Sequence, residues 1–119
     1  MKDFRTLRVW RKAHELTLHI YKLTKSFPKE ELFGLTSQMR RSSSSVPTNI
    51  AEGCGRGSDA ELSRFLQIAF GSLSELDYQL ILAADLGFIS SSTKAEGESF
   101  VIEVRKMLST LIRRVQSGR

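Results

Sequence analysis

At 119 residues and 13.4 kDa the chain has the material for one domain over residues 1–119, which excludes a multidomain enzyme. Apolar residues make up 40% and charged residues 26%, with two prolines, the balance of a globular chain and not of a disordered or collagen-like one. The net charge of +5 is unevenly spread: residues 1–25 hold seven Lys or Arg against two acids, and residues 58–89 one Arg against five acids.

That split argues against a uniformly basic coat. It suits a basic surface that meets an anion, or a basic helix of one subunit laid against an acidic helix of its neighbour. No stretch approaches the roughly 18–20 uninterrupted apolar residues of a membrane span, and the start MKDFRTLRVWRKAHE lacks the apolar block of a secretory signal. The expectation is a cytoplasmic protein with no membrane partner. The lone Cys54 can form neither an internal disulfide nor a cysteine zinc site, which fits a reducing compartment.

In the first predicted helix, Val9, Ala13, Leu16, Ile20 and Leu23 recur at three- and four-residue intervals and line a core face. Leu7, Trp10, His14, Leu18 and Tyr21 form an adjoining stripe, leaving Arg8, Arg11, Lys12, Glu15, His19 and Lys22 for water. A helix on the surface of a monomeric bundle needs an apolar arc of little more than ~100°, so the surplus predicts a second partner.

The second helix is predicted to begin near Pro28 or Glu30, with Leu32, Leu35, Met39, Val46 and Ile50 on one side, and to end at Gly53. Pro47 predicts a kink, since proline removes a helical hydrogen bond; the alternative is two short helices broken at Val46. Ser42 to Ser45 are poor helix formers, but their small side chains permit close contact and their hydroxyls can satisfy freed carbonyls.

Helix three opens on Ser58-Asp-Ala-Glu61, a capping box. Leu62, Phe65, Leu66, Ala69, Leu73, Leu76, Leu80 and Ala83 form its core stripe, and Gly87 marks its end. Ile68, Phe70, Tyr78, Ile81 and Leu82 fall outside that stripe, while Gly71, Ser72 and Ser74 would let another backbone approach. Thr93-Lys-Ala-Glu96 repeats the capping pattern ahead of helix four, whose stripe is Phe100, Val104, Met107, Leu108, Leu111 and Val115. Short connections around 24–29, 53–57 and 87–92 predict an all-α, antiparallel up-down-up-down four-helix bundle without a sheet.

Candidate chemistry is sparse. Gly53-Cys-Gly-Arg-Gly57 precedes a helix and could cradle a phosphate, but it lacks the Lys-Ser/Thr of a nucleotide loop and follows a helix, so a helix end and turn is the better reading. His14 and His19 are five apart, on different sides of one helix, and predict no metal site. Asn49, Glu52 and Arg56 bunch near Pro47 and could act on a ligand, yet Glu52 can pair with Arg56 at four-residue spacing and Asn49 can bond backbone exposed by Pro47, so a structural polar cluster is expected. Cys54 has no evident histidine to activate it. Arg5, Arg8, Arg11 and Lys12 make a basic face at helical spacing, joined by the pairs Arg40-Arg41 and Arg113-Arg114, and clustered cations of this kind can bind phosphates with release of counterions.

The runs Gln38-Met-Arg-Arg41 and Val46-Pro-Thr-Asn-Ile-Ala-Glu-Gly53, with Val9-Trp-Arg-Lys-Ala13, Phe33-Gly-Leu35 and Ala69-Phe-Gly-Ser-Leu-Ser-Glu-Leu76, carry a resemblance over roughly residues 4–115. The chain resembles the four-helix bundle family named for proteins encoded in 23S ribosomal RNA intervening sequences. The family's Arg-Arg…Pro-x-Asn-Ile-Ala-Glu-Gly signature is matched at Arg40, Arg41, Pro47, Asn49, Ile50, Ala51, Glu52 and Gly53. The resemblance implies an antiparallel bundle assembled as a homopentamer, with no established catalytic reaction. It is similar, too, to the accessory proteins of diversity-generating retroelements, pentameric bundles with a basic surface that work with a reverse transcriptase and nucleic acid.

The expected function is therefore a non-catalytic homo-oligomeric scaffold, pentameric by resemblance, without cofactor or metal. It would bind RNA or DNA independently of sequence through Arg5, Arg8, Arg11, Lys12, Arg40, Arg41, Arg113 and Arg114. Leu7, Trp10, Leu18, Tyr21, Ile68, Phe70, Tyr78, Ile81 and Leu82 are the expected interface between copies. The alternative is an adaptor that meets a different protein and binds no nucleic acid.

Overall fold

Serine hydroxyls set the starts of the two longest helices. Ser58 Oγ accepts a hydrogen bond from the Glu61 backbone N–H at 3.2 Å, and Ser90 Oγ accepts one from the Thr93 N–H at 3.1 Å, each satisfying a donor that a helix start leaves open. In the computed structural model, which describes residues 3–118, four helices follow in order: α1 (Arg8–Thr24), α2 (Leu35–Cys54), α3 (Asp59–Asp85) and α4 (Ser91–Gln116). Single 3₁₀ turns, Phe4–Thr6 and Lys29–Glu31, precede α1 and α2, and the described residues contain no strand.

Three boundaries differ from the sequence reading. α2 begins at Leu35 and not near Pro28 or Glu30, because the Glu31 carboxylate accepts from the Leu35 N–H at 3.0 Å and caps the helix from the preceding turn. That carboxylate fills the space over Gly34, where a Cβ would lie 2.8 Å from Glu31 Oε1. Leu32, expected on the core side, is consequently exposed. α2 then continues as one helix through Val46 and Pro47 to Cys54, one residue past Gly53, so it is not two helices broken at Val46. α4 begins three residues earlier than the Thr93-Lys-Ala-Glu96 pattern indicates: Ser90 is the cap, and Thr93 lies in the first turn.

α3 ends where Gly87 predicts. Gly87 takes φ +79, and the Phe88 N–H donates to Ala83 O at 2.9 Å while the Gly87 N–H donates to Ala84 O at 3.0 Å, the paired bonds that close a helix on a left-handed glycine. Phe88 then lies against Phe27, their ring centroids 5.4 Å apart.

Each helix packs on its two neighbours in the cycle α1–α2–α3–α4–α1, and among the described residues no Cα of α1 comes within 8 Å of one of α3, nor one of α2 within 8 Å of one of α4. Paired positions rise on one helix as they fall on the next. Thr17 and Thr24 of α1 meet Ser43 and Arg40 of α2; Ser42, Ser45 and Gly53 of α2 meet Gln79, Ser72 and Leu62 of α3; Asp77 and Leu80 of α3 meet Arg105 and Gly97 of α4. Leu16, Ile20, Met39, Ile50, Leu66, Leu73, Leu80 and Leu108 are wholly buried in the single core this encloses, each contributing roughly 1.5–3 kcal/mol of burial free energy. The serine run is explained by its setting. Ser42 and Ser43 are buried, and Ser42 Oγ donates to Gln79 Oε1 at 2.6 Å, so these two polar side chains enter the core as a pair.

Candidate nucleic-acid interface and assembly faces

The predicted basic residues divide into those held by the fold and those left to solvent. Lys12 lies between α1 and α4: its Nζ is 3.0 Å from Glu103 Oε1 and 3.6 Å from Glu15 Oε1, and it sits 5.0 Å from the Phe100 ring centroid. The hydrogen bond to Glu103, followed by the charges of Glu103 and Glu15, raises its pKa above the usual 10.5. Arg40 ties α2 to α1, donating from Nε to Thr24 Oγ1 at 2.9 Å and stacking on Tyr21 at 4.8 Å. Both cations hold helices together, which reduces what they can offer a phosphate.

At the other extreme, Arg8 and Arg114 line one groove between the start of α1 and the end of α4, together with Lys106, over a floor of Leu7, Val9, Met107 and Leu111. None of the three cations has an ion-pair partner among the described residues. Arg11 reaches from α1 to the preceding turn, donating from Nη1 to Arg5 O at 3.3 Å and Thr6 O at 3.4 Å, and Arg5 pairs with Asp3 at 3.2 Å. The cap position of α1 is Leu7, which supplies no side-chain acceptor, and no acid lies in the first turn. The positive end of this helix therefore adds to the field of the surrounding cations instead of being neutralised.

The remaining predicted cations lie elsewhere. Arg113 is next to Arg114 in sequence, yet it lines a separate groove with Gln67, Phe70, Ser109 and Ile112 between α3 and α4. Arg41 is exposed in a cleft between α2 and α3 with Gln38, Ser45, Ser72 and Glu75. Sequence reasoning missed Lys106; its spacing of four and eight residues from Thr110 and Arg114, which puts the three on one helix face, is the signal that could have found it.

The polar cluster consists of two local sets of contacts and does not converge on one ligand site. Glu52 and Arg56 form the four-residue ion pair at 3.0 Å, and Arg56 stacks on Phe65 at 4.8 Å. Asn49 turns away to donate to Ser45 O at 2.8 Å and Ser45 Oγ at 2.9 Å. A shallow cleft at Gly53, Cys54, Arg56, Gly57 and Ser58 includes Asp59, whose carboxylate opposes an anion, and it includes neither Asn49 nor Glu52. His14 stacks on Trp10 and His19 on Phe100, with centroids 5.3 and 5.1 Å apart. Among the described residues no three His, Cys, Asp or Glu are grouped to hold a metal ion.

The predicted interface residues also sort into two sets. Leu18, Tyr21, Ile68, Tyr78 and Ile81 are exposed, Leu18 at 56% and Tyr78 at 60%. Leu7, Trp10, Phe70 and Leu82 are half-buried against the chain's own core. Phe33, 92% exposed in the turn before α2, escapes the sequence pattern because the apolar period there reads as helix. No described helix is long and apolar enough to cross a membrane.

Residues 5–110 match the family described as 23S rRNA-intervening sequence protein. A crystal structure described as that of a protein of unknown function from the S23 ribosomal protein family of Bacteroides thetaiotaomicron VPI-5482 is similar, with a TM-score of 0.82 and 27% identity over 88% of this chain and 95% of that one. No curated protein matches the chain.

Proposed function

The chain belongs to the 23S rRNA-intervening sequence protein family, and from that premise we propose a non-catalytic cytoplasmic scaffold. It assembles from identical copies as a homopentamer and holds RNA or DNA by the phosphate backbone without reading bases. The observation that carries the nucleic-acid part is the groove of Arg8, Lys106 and Arg114 beside the uncapped start of α1, three cations without ion-pair partners among the described residues, with Arg5 and Arg11 nearby. Phosphates neutralised there release counterions, and a ring repeats the groove in every subunit, so individually weak interactions combine into useful avidity.

Fluorescence anisotropy with random-sequence RNA and DNA tests this. Binding at micromolar protein in low salt should fall steeply toward physiological salt, with equal affinity for unrelated sequences. Replacing Arg8, Lys106 and Arg114 together by Gln should weaken binding at least about tenfold and flatten the salt slope, by about one unit for every phosphate that is no longer neutralised. Arg41→Gln should do much less. Absence of any complex at low salt removes the role.

A second reading, an adaptor for a different polypeptide, is favoured by Phe33, with Leu32 and Leu86 also exposed. A partner captured in nuclease-treated extract and released by Phe33→Ser would move the conclusion there.

A further inference from the structure

α1 and α3 occupy diagonal corners of the bundle, so their outer surfaces look away from each other. Both surfaces carry exposed apolar side chains: Leu18 and Tyr21, three residues apart, on α1, and Ile68 with the pair Tyr78 and Ile81 on α3. The outer face of α2, between them, is by contrast hydrophilic, with exposed Gln38, Arg41, Thr48 and Glu52.

The two apolar faces differ in charge. Exposed Lys22 and Lys25 accompany Leu18 and Tyr21, while exposed Glu75 and Asp85 accompany Tyr78 and Ile81; Glu15 and Arg64, also exposed on these faces, are already paired with Lys12 and Glu61. Lys22, Lys25, Glu75 and Asp85 have no ion-pair partner among the described residues. α1 laid on α1 would bring cation to cation, and α3 on α3 acid to acid. Only α1 on α3 joins the apolar areas and the opposite charges together.

We infer that the occupant of each face is the other face of a second copy: the basic outer surface of α1 in one subunit packs on the acidic outer surface of α3 in the next. This rests on the homo-oligomeric reading proposed above and specifies the contact it uses. Because one copy carries both halves on opposite sides, the contact is head-to-tail and leaves one unused half at each end of an open chain of subunits until that chain closes into a ring. The phosphate groove, at the start of α1 and the end of α4, lies apart from Leu18 and Tyr21.

The test uses two full-length variants, each damaged on one face. Leu18→Glu with Lys22→Glu removes the apolar and basic character of the α1 face; Ile68→Gln, Tyr78→Gln and Ile81→Gln together remove the apolar character of the α3 face. Analytical ultracentrifugation should find the unaltered protein oligomeric, each variant alone monomeric with unchanged helix content, and an equimolar mixture forming 1:1 dimers and nothing larger, since each variant keeps the half that the other lacks. Cross-linking gives an independent readout: Leu18→Cys and Tyr78→Cys chains should form a disulfide when mixed, and neither should pair with itself. An oligomeric protein whose variants stay oligomeric, whose mixture stays monomeric, or in which Leu18→Cys pairs with itself, overturns the α1-on-α3 contact while leaving self-assembly standing. An unaltered protein that is monomeric at high concentration overturns both.

Discussion

Thr17 of α1 donates its hydroxyl to the carbonyl oxygen of Ser43 in α2, 3.0 Å away. Ser43 is four residues before Pro47, and proline has no N–H, so this is the carbonyl that the helix itself leaves without a partner. The same hydroxyl lies 3.1 Å from Ala13 O in its own helix. A buried side chain on one helix thus makes good a bond missing from the next, which allows a proline to sit inside α2.

Thr17→Val should therefore destabilise the protein by about 1–3 kcal/mol, the cost of stranding a buried carbonyl. In a Pro47→Ala background the restored N–H can bond Ser43 O, so the same substitution should cost clearly less. Urea denaturation of the four proteins in a double-mutant cycle measures the difference.

Glycines at helical positions should respond in opposite directions. A Cβ at Gly53 would lie 3.0 Å from both Leu62 Cδ1 and Phe65 Cβ, and 3.3 Å from Leu62 O, so Gly53→Ala forces α2 and α3 apart and should cost about 1–3 kcal/mol. At Gly71 nothing lies within 4 Å, and Gly71→Ala should stabilise a single subunit by about 0.5–1 kcal/mol through backbone entropy. Thermal melts at low protein concentration distinguish the two.

Ser90→Ala removes the acceptor for the Thr93 N–H and should cost about 1 kcal/mol, whereas Thr93→Ala should cost a fraction of that. Comparing the two by chemical denaturation locates the start of α4 in solution.

Two ion pairs should leave a trace at opposite ends of the pH scale. The hydrogen bond from Arg64, and then its charge, lowers the Glu61 pKa below 4.5. Its stabilisation is present above the unfolded value and is lost as pH falls through the lowered native one. Glu61→Gln should accordingly be less stable than the unaltered protein at pH 7, with the gap closing on acidification below about pH 4.5. Lys12, raised above 10.5, behaves in reverse: its contribution is full below the unfolded value and is lost as pH rises through the native one. The penalty of Lys12→Met should hold steady through neutrality and shrink only in strong alkali. Both side chains are partly solvated, so the gaps should be small and salt-sensitive.

The four helices are legible in the sequence because each buries one side, and one-sided burial writes itself as apolar residues three and four apart. Ser58 is legible as a cap because its partner in the pattern, Glu61, is a carboxylate; Ser90 is harder to see because it belongs to a run of hydroxyls in which Thr93 offers the more familiar signature. The start of α2 is hidden for another reason. Leu32 and Leu35 continue the apolar period across a 3₁₀ turn, and the cap comes from Glu31, a side chain four residues back in place of an N-cap serine or aspartate.

For the candidate site, residue identity is legible and availability is not. Arg8 and Arg114 read as solvated cations and are so, but nothing local to Lys12 announces Glu103, and nothing local to Arg40 announces Thr24. Which charges are committed is decided by chain segments that meet only after folding. The same holds for Leu7 and Trp10, whose place in the spare stripe of α1 does not reveal that Phe4 comes back to cover Trp10, 4.9 Å between ring centroids.

The close seating of Gly53 on α3 also gives the molecule a built-in reporter. Cys54, the chain's one thiol, is the next residue and is 3% exposed. A soluble alkylating reagent has little access to its sulfur from the neighbouring cleft while this corner of the bundle stays closed, so the labelling rate in native buffer should rise with every loosening of α2 from α3, without introducing any dye or tag.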